Sequence, residues 1–328
     1  MRLDNEGESS NVQDDRGRGG GFGSLGGGSS GLGGGGGGGM GGMLLPLLLN
    51  TIGFRGVIIL AVIYFALKMF TGIDLINLVN GGGGGISMPQ TTQVINSTAP
   101  TQLGKTANGA AASSDPGKKF VAQILNSTDE VWTKVFADMG KQYEKPTLVL
   151  FSNFDQSACG SAQSAMGPFY CPSDHKVYID LAFYHELKDK LGAPGDFAQA
   201  YVVAHEVGHH VQNLLGIADQ VDNQRRRASE VQANALSVRT ELQADCFAGI
   251  WGQKLGTLTK IQLDNGDIEQ ALNAASQIGD DHLQKAARGY AVPDTFTHGT
   301  SAQRVKWFKT GLKAQSLNDC DTFSTSNL

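Results

Sequence analysis

The sequence predicts an α+β fold, mostly helical with a small early β-sheet, preceded by a glycine-rich tail and one transmembrane helix. Three observations predict it. Two short apolar runs, 147–151 and 176–180, come before a long series of segments with helical periodicity. Residues 1–42 are polar and then almost pure glycine. Residues 43–70 are strongly apolar.

The tail, 1–42, has too little apolar surface to offset the entropy of ordering its backbone, so it reads as disordered. The apolar segment, 43–70, is long enough to cross a hydrocarbon core of roughly 30 Å. Pro46 and Arg55 interrupt it, and an arginine at mid-membrane is costly unless it snorkels. A cleavable signal peptide fits less well, because the run starts late and no small-x-small site follows. Arg55 and Lys68 flank its densest part, so flanking charge does not set orientation. Residues 71–117 form a polar linker with Gly81–Gly85 near its start, which leaves 118–328 as one globular unit with a sizeable core.

The net charge of −5 gives no reason to expect a nucleic-acid partner. Arg16-Gly-Arg18 only faintly resembles an RNA-binding tract, and Arg225-Arg226-Arg227 reads as a solvated helix face or loop. The four cysteines, Cys159, Cys171, Cys246 and Cys320, allow three pairings. Cys159–Cys171 is the obvious local pair, and Cys246–Cys320 would tie the C-terminal tail to a helix. The alternative, a structural metal on Cys159, Cys171 and His175, lacks a fourth soft ligand. Disulfides would place the domain outside the cytoplasm.

Within the globular part, Ser127-x-x-Glu130 reads as a capping box opening a helix over 128–139, with Val131, Trp132, Val135, Phe136 and Met139 on one face. The strand 147–151 follows Pro146, then the Cys159–Cys171 loop, the alternating strand 176–180 and a helix over 181–190. Asp196-x-x-Gln199 can cap a helix running to about 215, which Gly216 stops. A long helix over 229–255 stops at Gly256. Further helices are expected over 267–278 and 281–288, and Thr300-x-x-Gln303 caps a last one ending near Gly311.

The helix 196–215 carries His205-Glu206-Val-Gly-His209. Positions i and i+4 lie one above the other, so both imidazoles can reach one ion. A catalytic zinc takes three protein ligands and keeps one position for water, and Glu206 can reach that water without binding the metal. Core-like flanks, Tyr201, Val202, Val203, Val207 and Val211, mean that polar groups on this helix need a reason. The third ligand is expected to be Glu241, in Glu241-Leu-Gln-Ala-Asp245 on the next long helix. Asp245, one turn on, could accept the distal N–H of a ligating histidine. Glu230 is the weaker competitor, having no aspartate at i+4. His210 points off the ligand face and is expected either to support a ligand from behind or to pack.

These stretches resemble the neutral zinc metallopeptidase family. They are CGSAQSAMGPFYCP (159–172), KVYIDL (176–181), AHEVGHHVQ (204–212), ELQADCFAG (241–249) and FTHGTSAQR (296–304), besides the glycine-rich N-terminus and its apolar segment. The resemblance implies a gluzincin-like catalytic domain with one catalytic zinc, His205, His209 and Glu241 as ligands and Glu206 as base. The expected function is a membrane-anchored peptidase acting on a peptide or protein substrate, single-pass in a bacterial inner (cytoplasmic) membrane, with its domain periplasmic or otherwise extracytoplasmic. His298 is the candidate oxyanion donor, with Tyr201 and Tyr290 as weaker options, and Val177–Asp180 is a candidate edge strand for an extended peptide. The alternative is a catalytically silent, metal-binding peptidase-like protein at the membrane. A membrane-tethered assembly protein, or a hydrolase of a non-peptide bond, are further rivals. Oligomeric state is left open by the sequence.

Overall fold

The computed structural model describes residues 1–17 and 115–328. Its elements are β1 (Val12–Asp14), α1 (Pro116–Asp138), β2 (Thr147–Phe151), β3 (Phe154–Ser157), β4 (Gly160–Gln163), β5 (Phe169–Cys171), β6 (Lys176–Asp180), α2 (Ala182–Asp189), α3 (Asp196–Leu214), α4 (Ile217–Arg225), α5 (Glu230–Leu258), α6 (Asp267–Gln277), α7 (Asp280–Arg288) and α8 (Ser301–Gly311). Mostly helical with a small sheet, the architecture is α+β. Among the described residues no helix is long and apolar enough to cross a membrane. The expected span, 43–70, lies outside them, as do most of the tail and of the linker.

The sheet has the order β1-β2-β6-β5, with β1 and β6 parallel to β2 and β5 antiparallel to β6. Side chains alternate across it. Leu148, Leu150, Val177 and Ile179 join the main helical core, whereas Val149, Phe151 and Tyr178 form a second small core with Ala162 and Cys171. The β3–β4 hairpin lies over that second core, and the Cys159–Cys171 disulfide ties the loop between its strands to β5. The other disulfide, Cys246–Cys320, joins α5 to the C-terminal tail. With all four cysteines paired, a metal on Cys159, Cys171 and His175 is excluded.

Four expectations are corrected. The first is disorder throughout residues 1–42: residues 1–17 are part of the folded unit. Averaged composition hid them, because the glycine run begins only after Gly17. Met1, Leu3 and Val12 pack on the core, and β1 pairs with β2. Gln123 donates to the carbonyls of Leu3 and Glu6 at 2.9 and 3.0 Å, and the buried Glu6 accepts from Asn126 and from the Lys260 backbone at 2.7 and 3.0 Å.

Secondly, Ser127 does not open a helix. Asp115 caps α1 by accepting from the Gly117 and Lys118 amides, and Ser127 sits mid-helix, donating to the Ile124 carbonyl at 2.7 Å and accepting from Trp251 Nε1 at 3.0 Å. Thirdly, α5 runs through Gly256 to Leu258; the sequence reading also assigns no element to the stretch that α4 occupies. Fourthly, β6 is a central strand, not an edge; among the described residues β5 and β1 are the edges.

Helix α3 is buried on nearly every side, by the sheet and α1, by α5 and by α6. Its stacked Phe197–Trp251 pair, with ring centroids 5.6 Å apart, fixes it to α5. The Thr300 and Ser229 capping boxes are both present at α8 and α5.

Beneath residues 1–17, Asp129 of α1 is 1% exposed. One oxygen lies near Ser9 Oγ at 3.3 Å and Lys145 Nζ at 3.7 Å, and the other has no hydrogen-bond partner among the described residues. Burial raises its carboxyl to about 6, against the lowering influence of Lys145. The folded state therefore binds this proton more tightly than the unfolded chain, and stability falls as pH rises from about 4 to 6. Asp129→Asn should be more stable than the parent at pH 7.5, by about 1–2 kcal/mol, and no more stable near pH 4. Thermal melts across that range check this; a variant less stable at pH 7.5 would mean that Ser9 and Lys145 outweigh the burial cost.

Candidate metal centre

His205, Glu206 and His209 lie on α3, where Gly208 permits the close approach that brings Glu241 of α5 opposite them. A Cβ at Gly208 would stand 2.9 Å from the Ala244 carbonyl oxygen and 3.1 Å from its Cα. One ligand atom each from His205, His209 and Glu241 fall within 4.8 Å of one another. His205 Nε2 is 3.0 Å from Glu241 Oε2, and His209 Nε2 is 3.4 Å from Glu241 Oε1. Glu230, the competing carboxylate, is the exposed first residue of α5 and outside the group.

Both imidazoles are oriented from behind. His205 Nδ1 is 2.8 Å from Asp245 Oδ1, and His209 Nδ1 is 2.9 Å from Gln212 Oε1. A carboxylate and an amide oxygen only accept, so each Nδ1 carries the proton and each Nε2 is left to face Glu241. Gln212 is itself fixed by donating to the Thr240 carbonyl and to Gln243 Oε1 at 2.8 and 3.0 Å. Asp245 is fully buried and accepts from Tyr201 Oη and from Arg304, whose Nε and Nη2 lie 2.9 and 3.0 Å from its two oxygens.

The electrostatics favour a cation. Burial works against charge on His205, but Asp245 and Glu241 outweigh it and raise the imidazole to about 10. His209 is raised in the same way, burial being overcome by Glu241. Burial would raise Glu241, yet the two histidines hold it well below the usual carboxylate range. A pocket that draws protons onto two buried imidazoles draws a divalent metal to the same nitrogens, and the two compete. Two imidazole nitrogens and a carboxylate oxygen suit zinc with its fourth position open.

These groups open on a cavity of about 520 Å³. Glu206 lines it, only 7% exposed, and no hydrogen bond or ion pair from the described residues reaches its carboxylate. His298 lines it too. Asp280 Oδ2 accepts from the amides of Thr297, His298 and Gly299 at 2.7, 2.6 and 3.0 Å, while its Oδ1 lies 3.3 Å from His298 Nδ1. The Asp280 hydrogen bond raises the His298 imidazole above its ordinary value. Met166, Phe169, Phe183, Leu191 and Val202 supply an apolar wall.

The other expected donors are placed differently. Tyr201 borders the cavity, but its hydroxyl is committed to Asp245. Tyr290 is 61% exposed beside Arg288 and does not line the cavity. His210 packs away from it, with Nε2 2.6 Å from the Glu144 carbonyl and Nδ1 3.0 Å from Tyr170 Oη, and burial lowers it to about 4. Sequence reasoning missed Arg304, Asp280 and Gln212. Arg304 stands at the end of the FTHGTSAQR stretch and Gln212 at the end of AHEVGHHVQ, the only signal that either gave.

Asp245→Asn leaves the buried Arg304 without its counter-charge and should cost about 3–5 kcal/mol of stability; in the protein that remains folded, the weakened hold on His205 should lower zinc affinity about 10–100-fold. Competition with a chelating dye measures this, beside a melt to exclude unfolding. Unchanged affinity in a folded variant would remove Asp245 from the site.

Comparison with known proteins gives the family. Residues 1–323 match the family described as "Putative neutral zinc metallopeptidase". YpfJ, an uncharacterized protein of Escherichia coli strain K12, is 44% identical over 326 residues, 99% of this chain and 100% of that protein. Rv2575 of Mycobacterium tuberculosis strain H37Rv, also uncharacterized, is 42% identical over 212 residues, 62% of this chain and 69% of that protein. No solved structure matches the chain. The chain belongs to the neutral zinc metallopeptidase family.

Proposed function

We propose that the protein is a membrane-anchored zinc peptidase that hydrolyses peptide bonds, with His205, His209 and Glu241 holding one zinc and Glu206 as general base. The carrying observation is the convergence of the three ligand atoms within 4.8 Å, with the Glu206 carboxylate, free of hydrogen bonds among the described residues, in the same cavity. Two helices, the second carrying the glutamate ligand, give the arrangement a gluzincin-like character.

Zinc, when bound, makes water acidic near neutral pH and polarises a carbonyl oxygen. Glu206 accepts a proton from the water that attacks the scissile carbonyl and delivers it to the leaving amine. His298, oriented through Nδ1 by Asp280, donates to the oxygen on which negative charge develops. Its raised basicity keeps it cationic further up the pH scale, and so a donor. The edge strand β5, whose Phe169 and Tyr170 line the cavity, takes the place of β6 as the strand able to pair with an extended peptide. Residues 43–70 supply the membrane attachment, and two disulfides support an extracytoplasmic domain.

Zinc content and peptide cleavage of the full chain test this together. The parent should hold one zinc and cleave an unstructured protein substrate such as casein. His209→Ala should lose the metal, while Glu206→Gln should keep it and lose at least about 100-fold in rate. Metal retained with undiminished turnover in Glu206→Gln would remove the base; no zinc in the parent would sink the reading. His298→Ala should lower kcat by about 10²-fold with little change in KM or zinc content, since oxyanion donors act mainly in the transition state. An equal loss spread into KM would instead make His298 a substrate-binding group.

A further inference from the structure

We infer that residues 1–17 and 115–328 lie on the same side of the membrane, so that the intervening chain enters and leaves the bilayer from one face and is not single-pass. This rests on the membrane attachment proposed above. A single crossing at 43–70 would put the two flanks on opposite sides. They are instead parts of one folded body. β1 is hydrogen-bonded into the sheet beside β2, with Leu148 N donating to the Asn11 carbonyl and Asp15 N to the Leu150 carbonyl, both at 2.8 Å. Glu6 is buried between α1 and the segment after α5, held by Asn126 and the Lys260 amide. Gln123 fills the carbonyls of Leu3 and Glu6, and Ser9 N donates to the Ala122 carbonyl at 3.0 Å. Gln13 reaches across to Lys176 of β6 at 3.3 Å. Removing residues 1–17 to the far side of a bilayer would break every one of these contacts. It would also expose the edge of β2 and uncover Asp129.

The apolar sequence fits attachment from one face. Arg55 and Lys68 bracket Gly56–Leu67. Taken between those cations the run is a dozen residues, about 18 Å as a helix against roughly 30 Å of hydrocarbon; the whole of 43–70 is long enough to cross, but only with Arg55 inside the bilayer. Attachment from one face does not require Arg55 to be stranded at mid-membrane, as a full crossing by 43–70 would. The geometry also tethers the catalytic unit at two points, before Arg18 and at Asp115.

The test uses the full chain in cell membranes, with single cysteines at exposed Ser10 and Ser326. The four native cysteines are paired and do not compete for label. A membrane-impermeant maleimide should label Ser10→Cys and Ser326→Cys equally, both in intact spheroplasts or both only after lysis. Labelling of one with protection of the other would overturn the same-side topology. A second readout is the Gly7→Cys/Asn126→Cys pair. A Cβ at Gly7 stands 3.8 Å from Asn126 Cγ, so the pair should cross-link on mild oxidation in the membrane; failure to cross-link in a chain that still binds zinc would overturn the docking of residues 1–17. Extraction by an alkaline wash would instead sink membrane attachment itself, a failure seen in fractionation and separate from sidedness.

Discussion

The buried ion pair of Asp245 and Arg304 is the constraint on which the rest of the molecule depends. Asp245 is fully buried on α5 and Arg304 is 2% exposed on α8, so neither charge is solvated by water. Left alone, either would cost several kcal/mol. Their two hydrogen bonds, with Tyr201 and His205 of α3 completing the Asp245 shell, lock three helices into one register. An apolar pair of the same volume would hold the helices as firmly. It would not fix the imidazole of His205, and that is the physical reason for a charge in this core.

Register alone would be useless without close approach. Gly208 lets α3 lie against the Ala244 backbone, and Gly249 and Gly311 do the same between α5 and α8, where an added Cβ would come within 2.3 Å of Phe308 O and 1.9 Å of Cys246 O respectively. These glycines are mid-helix or at a helix end, where glycine is entropically unfavourable, so they serve contact and not flexibility. The Cys246–Cys320 disulfide sits one residue beyond Asp245 and shields the same layer from the C-terminal side, where Gln243 donates to the Cys320 carbonyl at 3.0 Å.

What the sequence made legible follows from interaction range. His205 and His209 on one face, and Glu241 and Asp245 on another, are fixed by the 3.6-residue period, so local spacing places each pair. The order of helices was equally visible, because caps such as Thr300-x-x-Gln303 are local. Strand neighbours are not local. Whether β6 is an edge depends on pairing with 169–171 and with 147–151, while the far edge, on β2, comes from β1, more than a hundred residues earlier. Residues 1–17 were misjudged for the same reason: their partners, Gln123, Asn126 and Lys260, are far along the chain, and composition averaged over the glycine run hid the few apolar anchors. Ser127 illustrates the reverse error, a local motif overruled by Trp251 Nε1, which claims its hydroxyl from another helix.

Charge accounting ties the site to its proposed cofactor. Arg304 balances Asp245, which leaves Glu241 and Glu206 as two further carboxylates around two imidazoles in a mostly buried pocket. Protons on the histidines can neutralise such a pair: against the opposing effect of burial, His209 is raised by Glu241 and, more weakly, by Glu206, whereas His205 is raised chiefly by Asp245 and then by Glu241. A divalent cation neutralises it as well and gains three directional bonds. Protonation and metal binding are therefore alternatives at the same nitrogens, and falling pH should favour the first. Glu206 stands outside the ligand triangle yet inside its field. A carboxylate with no hydrogen-bond donor among the described residues has lone pairs free for water, so the group that sequence spacing turned away from the metal is also one that those residues leave without a hydrogen bond.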